Sequence, residues 1–281
     1  MMGKVIMSGI VPQLVAPLSV DPVLNNNSWE TISKVSQMGL AAQYWAVGDT
    51  KTITINGKVG NTTFSNLSVD AFILGFNHNS SREGANRIHF QIGKINGTLV
   101  GLVDGNYGEK TSTTGAFTMN TSYTNRGGWN NSHMRKTVLG SNSTSATSPA
   151  ANTLLAALPA DLRAVMKPTT KYSDNTGGGS DTASYVTSTT DLLPLLSEFE
   201  YRGARKYANS AEKNYQLQYD YYKAGNSSVH YKHNDTGTAV SAWCRSVDSG
   251  YGFRFCLISD GGGSYLGIVY YSWALAPCFF V

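Results

Sequence analysis

The last 39 residues, Trp243 to Val281, constrain the fold most. Charge nearly vanishes there: Arg245, Asp248, Arg254 and Asp260 are the only charged side chains. Aromatic and β-branched residues crowd Phe253–Ser259 and Tyr265–Ser272, which reads as two strands. Asp260, Gly261, Gly262 and Gly263 lie between them and mark a turn, because glycine tolerates the positive φ of tight hairpins. A last strand, Pro277–Val281, is expected to end the chain. Alternation along the first strand puts Phe253, Phe255 and Leu257 on one face and Arg254, Cys256 and Ile258 on the other.

The run Asp248, Ser249, Tyr251, Gly252, Arg254 mixes size and polarity without apolar periodicity, so it does not read as core. Tyr265, Tyr270, Tyr271 and Trp273 add broad, rigid side chains of the kind that binding surfaces favour. Ser259 and Ser264 flank the turn. These eleven residues are the candidate ligand contacts. Trp243, Arg245, Phe255, Ile258, Pro277 and Phe279 are the candidate scaffold.

The frame Trp243-x-Arg245-Ser246, Phe255-Cys256-x-Ile258, a glycine-containing turn, then Ser272-x-Ala274-x-Ala276-Pro277-x-Phe279-x-Val281 resembles the C-terminal region of C-type-lectin-fold variable proteins of diversity-generating retroelements. Met1–Pro12, Trp29–Val59, Phe72–Asn77, Gly127–Arg135 and Leu154–Tyr172 resemble a domain family frequent in phage tail genes of gut Firmicutes. The resemblance implies a fixed scaffold displaying a ligand-binding surface that adenine-directed mutagenesis varies massively. It implies receptor binding at a virion tail or bacterial cell surface. The sequence departs from the pattern at Cys278, more often Ala, and at Phe280, often basic.

A chain of 281 residues can bury a large core. Charged residues make up only 14%, and amide, hydroxyl and glycine residues fill the gap. The net charge of +4 is mild, and no basic run interleaves with aromatics, which argues against a nucleic-acid groove. No window reaches the length and apolarity of a membrane helix. Met1–Ala16 carries one lysine and an apolar run. Ser8, Gly9, Pro12 and Gln13 interrupt it, so no secretory signal is expected.

The expected fold class is α+β, with mainly antiparallel sheets, a few helices and a C-type-lectin-like portion. Residues 1–27 read as an extended arm and 28–126 as a helix and a β-rich portion. Residues 127–281 read as the lectin-like portion, with its variable region at 243–281. One helix is expected over Trp29–Tyr44, capped by Ser28. A strand from Lys51 is expected to turn at Asn56-Gly57. Val69–Phe76 reads as a central strand, with a hairpin turn at Asn96-Gly97. Trp129–Leu139 and Asn209–Lys223 read as helices, and Ser173–Ser184 as a flexible loop.

Other constellations carry less chemistry. His78, with His89 and Asp104 as companions, matches no established metal or catalytic spacing. Glu198 and Glu200 read as a solvated face. Calcium is not expected, because Asp248 and Asp260 are the only acids in the C-terminal stretch. No cofactor or metal is expected. Cys244, Cys256 and Cys278 fit no zinc pattern and read as reduced, half-buried residues. The leading expectation is a non-enzymatic binding protein for a protein or glycan on a host cell, without membrane insertion, as a possible homo-oligomer or virion attachment. The alternatives are an invariant tail or baseplate component and, third, a relative of formylglycine-generating oxidases.

Overall fold

The computed structural model describes residues 18–281. The first 17 residues of the expected arm, and with them the signal-peptide question, lie outside the described residues. The rest of the arm is tied down. Leu24 and Asn27 are buried, and the Asn27 amide donates to the carbonyl oxygens of Asp21 and Val23.

Helix α1 (Trp29–Gln37) begins where Ser28 accepts from the Thr31 N–H at 3.0 Å. Trp29, Ile32 and Val35 bury one face. The expected helix to Tyr44 is two pieces, because Gly39 adopts φ +73°. The Gly39 N–H bonds to Ser36 O and the Leu40 N–H to Val35 O, the paired closure that ends helices at a left-handed residue. A separate turn, α2 (Ala41–Tyr44), follows.

Strands β1 (Thr50–Val59) and β2 (Thr62–Phe76) form a long antiparallel hairpin. The expected turn at Asn56-Gly57 is instead a bulge, where the register shifts between Ile55 and Gly57. The chain reverses at Gly60-Asn61. A Cβ on Gly60 would lie 1.9 Å from the Gly115 carbonyl oxygen, so this close approach admits only glycine. Val69–Phe76 is central as expected: β2 pairs with β1 on one side and β3 (Ile88–Ile95) on the other. β3 turns at Asn96 and Gly97, both at positive φ, into β4 (Thr98–Gly101).

The chain then crosses a long irregular stretch. The expected helix over Trp129–Leu139 is broken at Ser132 into Gly128–Asn131 and Met134–Val138. β5 (Thr169–Asp174) and β6 (Val186–Asp191) form a second hairpin. The glycine run between them is not a loose loop: Gly177 is buried, and Gly179 packs against Tyr251 and Gly252. The expected helix Asn209–Lys223 is a 3-10 turn at Ser210–Asn214, an extended stretch, and a short helix at Asp220–Lys223. Tyr219, Tyr221 and Tyr222 are buried against different neighbours, which a single helical stripe could not achieve.

β7 (His230–Lys232) runs parallel to β4, and β8 (Asp235–Val240) antiparallel to β7. β9 (Ala242–Val247), β10 (Arg254–Ile258) and β11 (Ser264–Ile268) form an antiparallel sheet with β10 in the centre. β12 (Cys278–Phe280) inserts beside β3, with Phe279 opposite Phe90. The large sheet is therefore completed by strands from both ends of the chain. The fold is α+β, with mostly antiparallel, partly mixed sheets and few helices.

The alternation expected for β10 holds over Phe255–Ile258. Phe255 and Leu257 join one core cluster, with Trp243 and Phe279; Cys256 and Ile258 join another, with Cys244 and Cys278. Both faces of β10 are buried. Phe253 falls outside the strand and packs on Tyr123 instead.

Candidate functional site

β9 ends at Val247, and the chain loops through Asp248–Phe253 before returning as β10. Three anchors hold this loop. The Asp248 N–H donates to Arg254 O at 3.2 Å, and Asp248 Oδ1 accepts the Gly250 N–H at 2.8 Å. Ser249 donates through both its N–H and its hydroxyl to Tyr207 O, each at 3.0 Å. Buried Asn125 donates to Tyr251 O at 3.0 Å and Arg254 O at 2.9 Å, while its own carbonyl accepts the Gly178 N–H at 2.7 Å. The glycine run thereby braces the loop from behind.

In front of the loop lies an open depression of about 600 Å³. Its lining includes Asp248, Ser249, Tyr251, Arg254 and Tyr265 from the sequence-derived contact set, with Lys206 and Tyr207 from outside it. Tyr251 and Tyr265 are 53% and 60% exposed. The Arg254 guanidinium lies over Tyr251 at 4.5 Å and over Phe253 at 5.0 Å. Asp248 is only 3% exposed, and its Oδ2 is buried without a hydrogen-bond partner. Burial pushes its carboxyl above the ordinary range.

The other candidate contacts lie elsewhere. Gly252 stands in the loop, against the backbone of Gly178. Ser259 and Ser264 sit at the β10–β11 turn and do not line the depression. Tyr270, Tyr271 and Trp273 form an aromatic strip, with successive ring centroids at 5.7 and 6.2 Å. Tyr123 joins this strip to the loop, 5.3 Å from Tyr270 and 4.5 Å from Phe253. Tyr107 meets its far end at Trp273. All six scaffold residues are buried.

Sequence reasoning missed Lys206, Tyr207, Tyr123 and Asn125. The run of Arg202, Arg205 and Lys206 between Tyr201 and Tyr207 was a usable signal for the first pair. Asn125 carried none, because its role depends on chain segments more than 50 residues apart.

Arg245 is more than a scaffold residue by size. It is fully buried and pairs with both carboxylate oxygens of Glu200, with Nη2 at 2.9 Å from Oε1. Lys171 reaches Glu200 at 3.0 Å and the Tyr219 hydroxyl at 3.0 Å, and also pairs with Glu83. The solvated reading of Glu198 and Glu200 is therefore wrong. Both are fully buried at the start of helix Glu198–Arg202, where Ser197 and Glu200 cap each other reciprocally. Burial alone would raise the Glu200 carboxyl, but Arg245 and Lys171 outweigh it and hold it below the usual range.

His78 stacks on Tyr219 at 3.8 Å, beside this cluster. Burial, followed by the Lys171 charge, lowers its pKa to about 3, so the ring is neutral. His89 shares the cluster through Tyr219, with Nδ1 and the hydroxyl 3.0 Å apart. Asp104 does not: it accepts from Phe117 N–H and the Ser272 hydroxyl. Ligand atoms of His78, Glu83 and Glu200 lie within 4.8 Å of one another. The Lys171 ammonium already bonds both carboxylates, so a built-in cation serves this cluster.

The three cysteines are unpaired and fully rather than half buried. Burial pushes all three thiols up, Cys278 to about 12. Among the described residues, no helix is long and apolar enough to cross a membrane. Comparison with known proteins found no matching family model, no matching curated protein and no matching solved structure.

Proposed function

We propose that this protein is a non-enzymatic ligand-binding protein whose Trp243–Val281 segment displays a diversifiable contact surface on a C-type-lectin-like scaffold. Its place is a phage tail tip or a related bacterial surface, and its partner is a receptor on a host cell. One observation carries the reading. Asp248, Ser249, Tyr251 and Arg254, chosen for their irregular polarity, and Tyr265, chosen as a broad aromatic, line one open depression, while the six scaffold residues are buried. The loop between β9 and β10 is held through its backbone by Asn125 and Tyr207, with the Asp248 carboxylate and Ser249 hydroxyl as side-chain anchors. At Tyr251 and Arg254, which Asn125 holds by their carbonyls, such a surface can change side chains while its backbone stays fixed.

Exposed Tyr251 and half-buried Arg254 are the expected energetic anchors, since interface energy concentrates in these residue types. The test is labelled protein on host cells. Tyr251→Ala and Arg254→Gln should each lose at least about tenfold in binding and keep their melting temperature. Unchanged cell binding in both variants would sink the reading. Diversification is tested separately, by sequencing flanking DNA for a copy of the Trp243–Val281 coding segment that differs at adenines, beside a reverse transcriptase.

A second reading, an invariant tail or baseplate component, draws on the partly buried Tyr270, Tyr271 and Trp273 strip, which would then lie between subunits. Light scattering separates the two. A stable oligomer that Tyr271→Ala dissociates favours the structural component. The oxidase alternative has least behind it, because its chemistry needs reactive thiols and burial raises all three here.

A further inference from the structure

The depression beside the β9–β10 loop carries polar groups that its own fold leaves unused. Asp248 Oδ2 is buried with no partner, an arrangement that costs free energy until a donor reaches it. Arg254 and Lys206 stand at the rim, and neither takes part in an ion pair among the described residues. Both cations rest instead on tyrosine faces, Arg254 over Tyr251 and Lys206 over Tyr207 at 5.0 Å. The depression thus offers two unpaired cations, one unpaired buried acceptor and exposed aromatic faces within a single concavity.

We propose that this depression binds an acidic saccharide, a sugar ring bearing a carboxylate. The inference rests on the reading of this surface as the ligand site. A planar carboxylate matches the guanidinium fork of Arg254, and Lys206 adds a second charge. Hydroxyl groups on the same ring donate to Asp248 as its side chain turns the buried Oδ2 toward the depression. The apolar face of the ring lies on the exposed tyrosines. An acidic peptide fits less well. Its carboxylates would meet both cations, but its further acidic groups would be repelled by Asp248, and it carries few donors close to each carboxylate. A hexuronate ring carries hydroxyl donors on the first and second carbons beyond its carboxylate-bearing carbon.

The experiment is an NMR titration of the isotope-labelled full chain with sodium glucuronate, methyl glucoside and acetate. Glucuronate should shift the amide signals of Gly250, Tyr251 and Leu266, and bind at least about tenfold more tightly than either control. Arg254→Gln should lose about tenfold for glucuronate, and so should Asp248→Asn, which keeps the Oδ1 acceptor but replaces Oδ2 by a donor group. Should Asp248→Asn melt early, exposed Lys206→Gln reads the same site without touching the core. Acetate binding as tightly as glucuronate would make this a bare anion site and overturn the proposal. Methyl glucoside binding equally well would show the carboxylate unread and would overturn it too, as would no shift with any sugar. Host-cell binding keeps the two readings apart. If cell binding depends on Tyr251 while glucuronate fails, the saccharide inference falls alone and the ligand-binding reading stands.

Discussion

The Asn125 side-chain amide donates to the Arg254 main-chain carbonyl at 2.9 Å, across 129 residues of sequence. The same amide holds Tyr251 O, and its oxygen holds the Gly178 N–H. One buried side chain therefore sets the path of the loop that carries Tyr251 and Arg254.

Asn125→Ala should destabilise the protein by about 2–4 kcal/mol, because it removes at once the donor shared by Tyr251 O and Arg254 O and the acceptor of the Gly178 N–H. Urea denaturation measures the loss. Hydrogen exchange should show faster exchange at Gly178, whose N–H loses its acceptor. Asn125→Asp should do no better, since a carboxylate cannot donate to the two carbonyls.

Arg245 and Glu200 form a fully buried pair. Removing either partner alone, as Arg245→Met or Glu200→Gln, should cost about 3–5 kcal/mol by leaving an uncompensated charge. The double variant should lose clearly less than the two single losses combined. Additive losses in a double-mutant cycle would mean that Lys171 and Glu83 absorb the change without Arg245.

Glu212 and His230 should bend the pH dependence of stability in opposite directions. Burial raises the Glu212 carboxyl from 4.5 to about 7 in the folded protein. The unfolded chain then holds fewer protons between those values, so this group costs stability as pH rises from 4.5 to 7, by about 3 kcal/mol at most. Burial lowers His230 from 6.5 to about 4. The unfolded chain holds more protons there, so its contribution is present above pH 6.5 and is lost as pH falls towards 4. Denaturation across pH 4.5–6.5 checks both signs. Glu212→Gln should make stability rise more steeply with pH, and His230→Gln less steeply.

The cysteines should resist alkylation in the native protein at mildly alkaline pH and react fully in guanidinium. The thiolate is the reactive form, and burial disfavours it at Cys244, Cys256 and Cys278. Fast native labelling at any of the three would overturn this account of their environment.

Local chemistry alone determined much of this protein. Serine capping and apolar spacing placed α1, and the apolar run Val69–Phe76 read correctly as a central strand. Paired positive-φ residues placed the Asn96-Gly97 hairpin, and period-two alternation separated Phe255 and Leu257 from Cys256 and Ile258. The irregular polarity of Asp248–Arg254 marked Asp248, Ser249, Tyr251 and Arg254, which border the depression. Long-range contact decided the rest. Asn56-Gly57 carries a turn sequence, yet strand pairing continues through it as a bulge and the chain reverses at Gly60-Asn61, where Gly60 meets the distant Gly115 backbone. Glu198 and Glu200 read as solvated until folding placed Arg245 and Lys171 beside Glu200, since no local rule offsets the cost of burying a charge. The walls of the depression, from Lys206 and Tyr207, and its brace at Asn125 exist only once distant segments meet. A hydrogen bond depends on distance in space, which separation along the chain does not encode.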